Sequence, residues 1–113
     1  MKTVSLERYL KSAQTTVSAG GFDFTIQRPT YAEMGGMSGE RITLDWGSKF
    51  VVGWAKVKES DLLPGGDPEE VEFTTELFCQ WIKDKPDLWV PIITEVLESY
   101  KRHQAEVDAR GKL

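Results

Sequence analysis

Two side chains of this 113-residue chain suit nucleophilic catalysis, Cys79 and His103, and each residue type occurs once. A Cys nucleophile needs a base within hydrogen-bond reach. His103 falls in a polar stretch near the C-terminus, while Cys79 falls in a short amphipathic segment. We interpret Cys79 as a packed side chain, because a buried thiol behaves as a small hydrophobe, and His103 as a solvated one. A Cys–His dyad assembled by the fold stays open as the alternative.

Cofactor and metal sites need ligand patterns that this sequence lacks. A zinc site takes three or four nitrogen, sulfur or oxygen ligands, and one Cys with one His falls short of that. The acidic residues of positions 58–72 do not follow the ligand order of an EF-hand, so we favour a solvated loop over adventitious cation binding. None of the Gly pairs precedes the Lys-Ser/Thr of a phosphate-binding loop. We therefore predict no cofactor, no metal and no enzyme activity, with a site built from dispersed carboxylates as the catalytic alternative.

The composition indicates one globular domain over residues 1–113. Hydrophobic residues make up 40% of the chain and aromatic residues 11%, with four Trp, which is enough to form a core. The net charge is −4 and no Lys/Arg block occurs, which argues against a nucleic-acid partner. The apolar stretches are too short to span a bilayer and the N-terminus lacks the apolar region of a secretory signal, so we expect a cytoplasmic protein.

Local patterns predict a helix, a hairpin and a second helix start in the first third of the chain. Ser5 is a suitable N-cap for a helix over residues 5–13, whose apolar residues fall on one face. Gly20-Gly21 supplies a turn, and the residues after it alternate between apolar and polar, as in a half-buried strand. Thr30 and Glu33 have the spacing of a capping box.

Two further helices are predicted in the C-terminal half. Thr74 is a suitable N-cap, with Phe73 and Phe78 placed as a hydrophobic staple, so we predict a helix over residues 75–84. Pro91 has no backbone donor, which predicts a kink or a separate short turn before a final helix over residues 92–109.

Residues 41–57 fit two patterns. The apolar residues from Ile42 to Trp46 and from Phe50 to Trp54 alternate as they do in strands. Four of them also recur at every fourth position, as on one face of a helix. Pattern alone slightly favours strands, because the segment contains the poor helix formers Gly47, Val51, Val52 and Gly53.

The four Trp residues allow two interpretations. Most Trp residues of small domains anchor the core, yet Trp and Tyr are also enriched where proteins bind one another. Trp81 and Trp89 flank a Pro-containing turn, where we expect one of them to be partly exposed.

Three segments follow a recurring layout: FVVGWAKV at residues 50–57, VEFTTELF at 71–78 and KPDLW at 85–89, with an acidic Pro/Gly loop between the first two. This layout resembles the small tail assembly chaperones of long-tailed bacteriophages and prophages. The resemblance covers residues 48–100, and Arg28-Pro29-Thr30 with the preceding hairpin is similar to the start of related phage proteins. Ala55-Lys56 departs from the acidic or Gly residues that follow this Trp in the family.

The resemblance implies that the segment before Gly53-Trp54 is helical. The resulting prediction is an α+β fold, with an N-terminal β-hairpin packed with a C-terminal helical bundle of helices near 39–55, 75–84 and 92–109.

The resemblance also implies a chaperone that binds the tape measure protein and the major tail protein in the cytoplasm of a bacterial host, with a homo-oligomer as a further option. Within this interpretation we assign protein binding to Trp54, Trp81, Trp89 and Tyr100. The alternative function is a head–tail connector or a minor tail protein that stays in the virion.

Overall fold

The structure is a computed structural model, and it describes residues 1–35 and 43–111. It has an α+β fold in which a three-stranded antiparallel sheet packs against a long C-terminal helix and a shorter one. The helices and strands follow the order α1 (Leu6–Lys11), β1 (Gln14–Ala19), β2 (Phe22–Gln27), α2 (Tyr31–Gly35), α3 (Leu44–Ser48), β3 (Val51–Ala55), α4 (Glu59–Leu62), α5 (Thr75–Ile82) and α6 (Pro86–Gly111).

The predicted hairpin is confirmed as β1 and β2. Gly20 and Gly21 both have positive φ angles, 59° and 86°, a conformation that only Gly adopts without strain, and they close the turn. β2 then pairs with β3 on its other side, so the sheet order is β1-β2-β3. The central strand therefore carries two of the fully buried core side chains, Phe24 and Ile26.

The pairing of β2 with β3 contains an irregularity that changes which side chains of β3 face the core. The register shifts between Thr25 and Ile26, as at a β-bulge. As a result Val51 is only 1% exposed, whereas Val52 is 41% exposed. Trp54 lies opposite Phe24 and packs against the core.

The core lies between the sheet and helices α5 and α6. Its fully buried side chains come from β2, β3, α5 and α6 and include Phe24, Ile26, Val51, Phe78, Ile82, Ile92 and Val96. The predicted cap of α5 is confirmed, because Thr74 Oγ1 accepts the N–H of Leu77 at 3.2 Å. The predicted staple is confirmed too, with the rings of Phe73 and Phe78 6.0 Å apart.

Other predicted caps form, but the helix that follows Ser5 buries nothing. Ser5 Oγ accepts the N–H of Arg8 at 3.2 Å, and α1 has no buried residue. Thr30 and Glu33 form the predicted capping box, with distances of 2.9 and 3.2 Å. The apolar face of α1 is thus left on the surface.

The predicted helix over residues 39–55 is wrong in its described part. Residues 44–48 form the short helix α3, capped by Thr43, and residues 51–55 form β3 instead. The physical reason is the one that the local pattern indicated: Gly47 and the Val51–Gly53 segment are poor in a helix, and β2 offers an edge for pairing. Residues 39–42 of this prediction lie outside the described residues.

Of the two alternatives predicted at Pro91, a kink or a separate short turn, the separate turn is wrong, and the final helix begins at Pro86 instead of residue 92. α6 runs without a break from Pro86 to Gly111, with Pro91 inside it. The N–H groups of Leu88 and Trp89 both donate to the carbonyl oxygen of Lys85, at 3.0 and 2.9 Å, and so start the helix at Pro86. Pro91 lies close to this start, and one missing hydrogen bond is tolerated there because Leu88 and Ile92 are buried.

Candidate protein-binding site

The four residues predicted to bind protein are all half-buried, but only two of them come together. The rings of Trp54 and Trp81 lie 5.8 Å apart and nearly perpendicular, at 83°. Trp89 packs on α3 instead, so closely that a Cβ on Gly47 would lie 2.6 Å from its ring. Tyr100 lies further along α6. Of the four, Trp81 borders an open groove.

One wall of this groove is the segment after β3, which folds back on itself. The N–H of Val71 donates to the carbonyl oxygen of Val57 at 2.8 Å, and that of Glu59 donates to Glu69 at 2.9 Å. The indole N–H of Trp54 donates to the carbonyl oxygen of Val71 at 2.7 Å. These bonds tie the segment to the aromatic cluster and hold α4 opposite α5.

The groove has a volume of ≈ 530 Å³ and lies between α4 with the residues after it and α5. Its apolar part is formed by Leu62, Leu63, Pro64, Leu77 and Trp81, and its polar part by Ser60, Asp61, Gln80, Asp84 and Lys85. We call it the acidic groove. A groove with an apolar floor and a charged rim suits an amphipathic segment of another protein, which inserts apolar side chains and keeps its polar face in water.

Trp81 has a feature that distinguishes it from Trp54. Its Nε1 is buried and has no hydrogen-bond partner among the described residues. A buried N–H left without an acceptor costs about 1–3 kcal/mol. Trp81, which lines the groove, therefore carries an unmet hydrogen-bonding capacity.

The surroundings of the groove are strongly acidic. Residues 58–72 contain six carboxylates, and none of them forms an ion pair within the described part of the chain: Glu59, Asp61, Asp67, Glu69, Glu70 and Glu72. Some accept backbone hydrogen bonds, as Asp61 does from Lys58 N–H at 2.9 Å. Asp61 and Asp84 line the groove itself together with one cation, Lys85, so the charge of the groove and its surroundings favours a partner with Lys or Arg beside its apolar residues.

A second cleft, of ≈ 560 Å³, lies between α1, the segment after β2 and the C-terminal part of α6. Arg28, His103 and Arg110 line it, and Tyr9, Leu10 and Tyr31 add apolar surface. We call it the basic cleft. The carboxylate of Glu106 also lines it, and a smaller adjoining cleft extends it toward Arg102. The sequence pattern did not indicate this cleft.

The residues considered for catalysis do not meet in either cavity. His103 lines the basic cleft, whereas the thiol of Cys79 on α5 donates to Ser48 Oγ at 3.3 Å. Within residues 1–35 and 43–111, no group of three or more His, Cys, Asp or Glu is arranged to hold a metal ion.

Among the carboxylates of residues 1–35 and 43–111, Asp23 has a shifted pKa, and it lines neither cavity. The pKa of Asp23 is lowered, first by the hydrogen bond from Ser18 Oγ at 2.7 Å and then by Lys56, whose Nζ lies 3.0 Å away. Lys56 itself has a φ of 71°, which is unusual for a residue other than Gly. This contact joins the end of β3 to β2 and is structural.

The sequence pattern missed the side chains that build the groove with Trp81. Leu63 and Asp84 are examples, since each was assigned to a loop or a helix end. The available signal was the apolar pair Leu62-Leu63 inside an otherwise acidic loop, next to the turn residues Pro64-Gly65. An apolar pair in a solvated loop indicates a surface with a role, and here Leu62 and Leu63 line the groove opposite α5.

No helix in the described residues is long and apolar enough to cross a membrane. Comparisons of the chain with models of protein families, with curated proteins and with solved structures each found no match.

Proposed function

We propose that this protein is a tail assembly chaperone of a phage or prophage, which binds an amphipathic helix of the tape measure protein in the acidic groove. It is a binding protein with no enzyme activity, and it also contacts the major tail protein. The sequence layout of residues 48–100 supports the family, and the groove supports a binding role. The observation that carries the proposal is the position of Trp81 in a groove with an apolar floor and with Asp61, Asp84 and Lys85 on its rim.

The shape and chemistry of the groove define the client segment. A volume of ≈ 530 Å³ accommodates a few apolar side chains, which corresponds to one face of a helix at i, i+3 or i+4 spacing. Lys or Arg residues on the flanks of that helix would lie near Asp61 and Asp84. While the groove covers the apolar face of the client helix, that client molecule would be kept from associating with other client molecules.

The contribution of the groove is testable with one exposed residue on its edge. Leu63 is 57% exposed, so Leu63→Asp leaves the core intact while placing a charge where the client's apolar residues dock. Val90 on α6 is 59% exposed and lies outside the groove, so Val90→Asp is a matched control. Covering a Leu contributes about 1.5–3 kcal/mol, so Leu63→Asp should weaken client binding about tenfold or more.

The measurement is co-expression of the tagged full chain with the proteins encoded beside it, followed by pull-down and titration with the captured client. We expect the wild-type chain and Val90→Asp to recover one very long helical protein, and Leu63→Asp to recover little of it. Equal recovery with both variants would exclude the groove as the client site. Recovery of a portal or tube protein alone, with this chain present in finished particles, would instead assign it to the connector or minor tail proteins.

A further inference from the structure

The basic cleft and the smaller cleft beside it share part of their lining. The basic cleft has a volume of ≈ 560 Å³ and the smaller one a volume of ≈ 220 Å³. Arg28, His103 and Glu106 line both of them, so these three side chains lie where the two cavities meet. Arg110 lines the basic cleft and not the smaller one. The basic cleft therefore has one guanidinium at this junction and a second one away from it.

The fold fixes the position of Arg28 but leaves its charge without a partner. Its backbone N–H donates to the carbonyl oxygen of Ala13 at 2.9 Å, and the following Pro29 is fully buried. The side chain of Arg28 is half-buried and forms no ion pair within the described part of the chain. A guanidinium can donate two parallel hydrogen bonds to one carboxylate. Arg28 is thus placed to bind a carboxylate that enters the cleft.

The residues of α6 along the cleft indicate how far apart the charges of such a ligand would be. His103 and Arg110 are seven positions apart, which is two helical turns, so they lie on the same side of α6 at about 10 Å of helix rise. Arg28 is at the level of His103, since both line the same two cavities. In an extended chain, which rises about 3.3 Å per residue, this length separates carboxylates three positions apart. Glu106 lies between His103 and Arg110, and its charge disfavours a further carboxylate in the middle.

The cleft also has an exposed apolar wall. Tyr9, Leu10 and Tyr31 line it and are 67%, 44% and 76% exposed. Exposed aromatic residues beside Arg are typical of surfaces that bind protein. A nucleic acid would need a longer stripe of cations, and the net charge of −4 opposes a polyanion. The combination of charge and apolar surface therefore fits a short acidic segment of a protein.

We propose that the basic cleft binds an extended acidic segment of a partner protein, with two carboxylates three positions apart and apolar residues between them. Arg28 binds the first carboxylate and Arg110 the second, while the apolar residues pack on Tyr9 and Tyr31. The two ion pairs set the position of the segment along the cleft, and the apolar contact adds affinity. The basic cleft shares no residue with the acidic groove, so this inference does not depend on the proposed function.

The test uses the full chain and a fluorescent peptide of about nine residues, which is too short to form a stable helix by itself. The peptide carries two glutamates three positions apart with two leucines between them, and fluorescence anisotropy measures its binding. Arg28→Gln and Arg110→Glu change the two cationic positions; Arg110 is exposed, so its change leaves the core intact. Lys101→Glu is the matched control, because Lys101 is exposed on the same helix and lines neither cleft. It changes the net charge as much as Arg110→Glu does.

We expect saturable binding to the wild-type chain and to Lys101→Glu, with affinities within about twofold of each other because water and salt screen an exposed charge. Each Arg variant should bind the peptide about tenfold or more weakly, since it leaves one carboxylate unpaired. Replacing both glutamates of the peptide with glutamine should have an effect of the same size. Binding should also weaken at high salt.

A peptide that does not saturate the wild-type chain below about 1 mM would overturn the proposal. Equal binding of the glutamine peptide, unchanged binding by both Arg variants, or tighter binding of a single-stranded oligonucleotide of the same length would overturn it as well.

Leu63→Asp separates this inference from the proposed function. It changes the acidic groove alone, so it should bind the peptide like the wild-type chain while it loses the client. If the peptide fails to bind and the wild-type chain still recovers the client, only this inference is wrong. If the peptide binds and the client does not, only the proposed function is wrong.

Discussion

The two halves of α6 are held by different forces. The first half, up to Ser99, buries Leu88, Ile92 and Val96 between the sheet and α5. The second half, from Tyr100 to Gly111, has no buried residue and borders the basic cleft. Its contacts include the ion pairs of Arg102 with Glu95 and of Lys101 with Glu98, and exposed pairs of this kind contribute little to stability. One continuous helix thus joins a part that stabilises the fold to a part that is available for binding.

The difference between the halves is sharpest for truncation of one apolar residue in each. Ile92→Ala removes a fully buried side chain and leaves a cavity, so we expect the free energy of unfolding to fall by about 2–5 kcal/mol. Val107→Ala removes a side chain that is 42% exposed, and we expect a change within about 0.5 kcal/mol. Urea unfolding measures both. Similar losses for the two variants would mean that the second half is packed after all.

A smaller loss is expected where α3 contacts the first half of α6. A Cβ on Gly47 would lie 2.6 Å from the ring of Trp89 and 2.7 Å from Ile93 Cδ1, so Gly47→Ala forces these side chains to move. We expect thermal unfolding to show a destabilisation of about 1–3 kcal/mol, as for other overpacked cores. Gly35→Ala in α2 is the matched control, since no atom of the described residues lies within 4 Å of a Cβ at that position. Stabilisation by Gly47→Ala would show that helix propensity outweighs the close approach.

The smallest effect is expected at a surface contact between charges. The ion pairs of the second half of α6 are contacts of the same kind. The pKa of Asp23 is lowered below its ordinary value of 3.8 by Ser18 and Lys56. A carboxylate with a lower pKa in the folded state stabilises the protein fully above its unfolded-state pKa, and this contribution is lost as the pH falls through the folded-state pKa. We therefore expect the stability difference between the wild-type chain and Asp23→Asn to shrink as the pH falls below about 3.8. A difference that is constant with pH would mean that Asp23 acts through packing alone.

Much of the fold follows from short-range patterns in the sequence. The Gly20-Gly21 turn, the Thr74 cap with its Phe73–Phe78 staple and the Thr30–Glu33 capping box all form as predicted. Each depends on residues within a few positions of one another. It can therefore be recognised in the sequence without knowing which distant segments of the chain pair.

β3 was harder to predict because its pairing is long-range. Its register shift places Val51 and Trp54 on the core side although they are three positions apart, which breaks the period of two that identifies a strand. The resemblance then favoured a helix in its place. Only the free edge of β2, which a local pattern does not contain, decides in favour of a strand.

The acidic groove could be predicted only in part. Trp81 was among the residues assigned to binding, but the wall opposite it depends on the hydrogen bonds from Val71 to Val57 and from Trp54 to Val71. These hydrogen bonds join residues fourteen and seventeen positions apart, and no local sequence pattern indicates them. Whether Trp54, Trp89 and Tyr100 contact a partner stays a prediction, since their half-buried positions suit packing as well as binding.

The near-perpendicular pair of Trp54 and Trp81, with ring centroids 5.8 Å apart, gives the protein an optical signal of its own. The electronic transitions of two indoles this close couple, and their mutual orientation sets the sign and strength of the resulting circular dichroism band. Only Trp81 lines the acidic groove, so an inserted side chain that tilts one ring against the other changes the coupling. Occupation of the groove can thus be followed in solution, without a label, by the light that this pair absorbs.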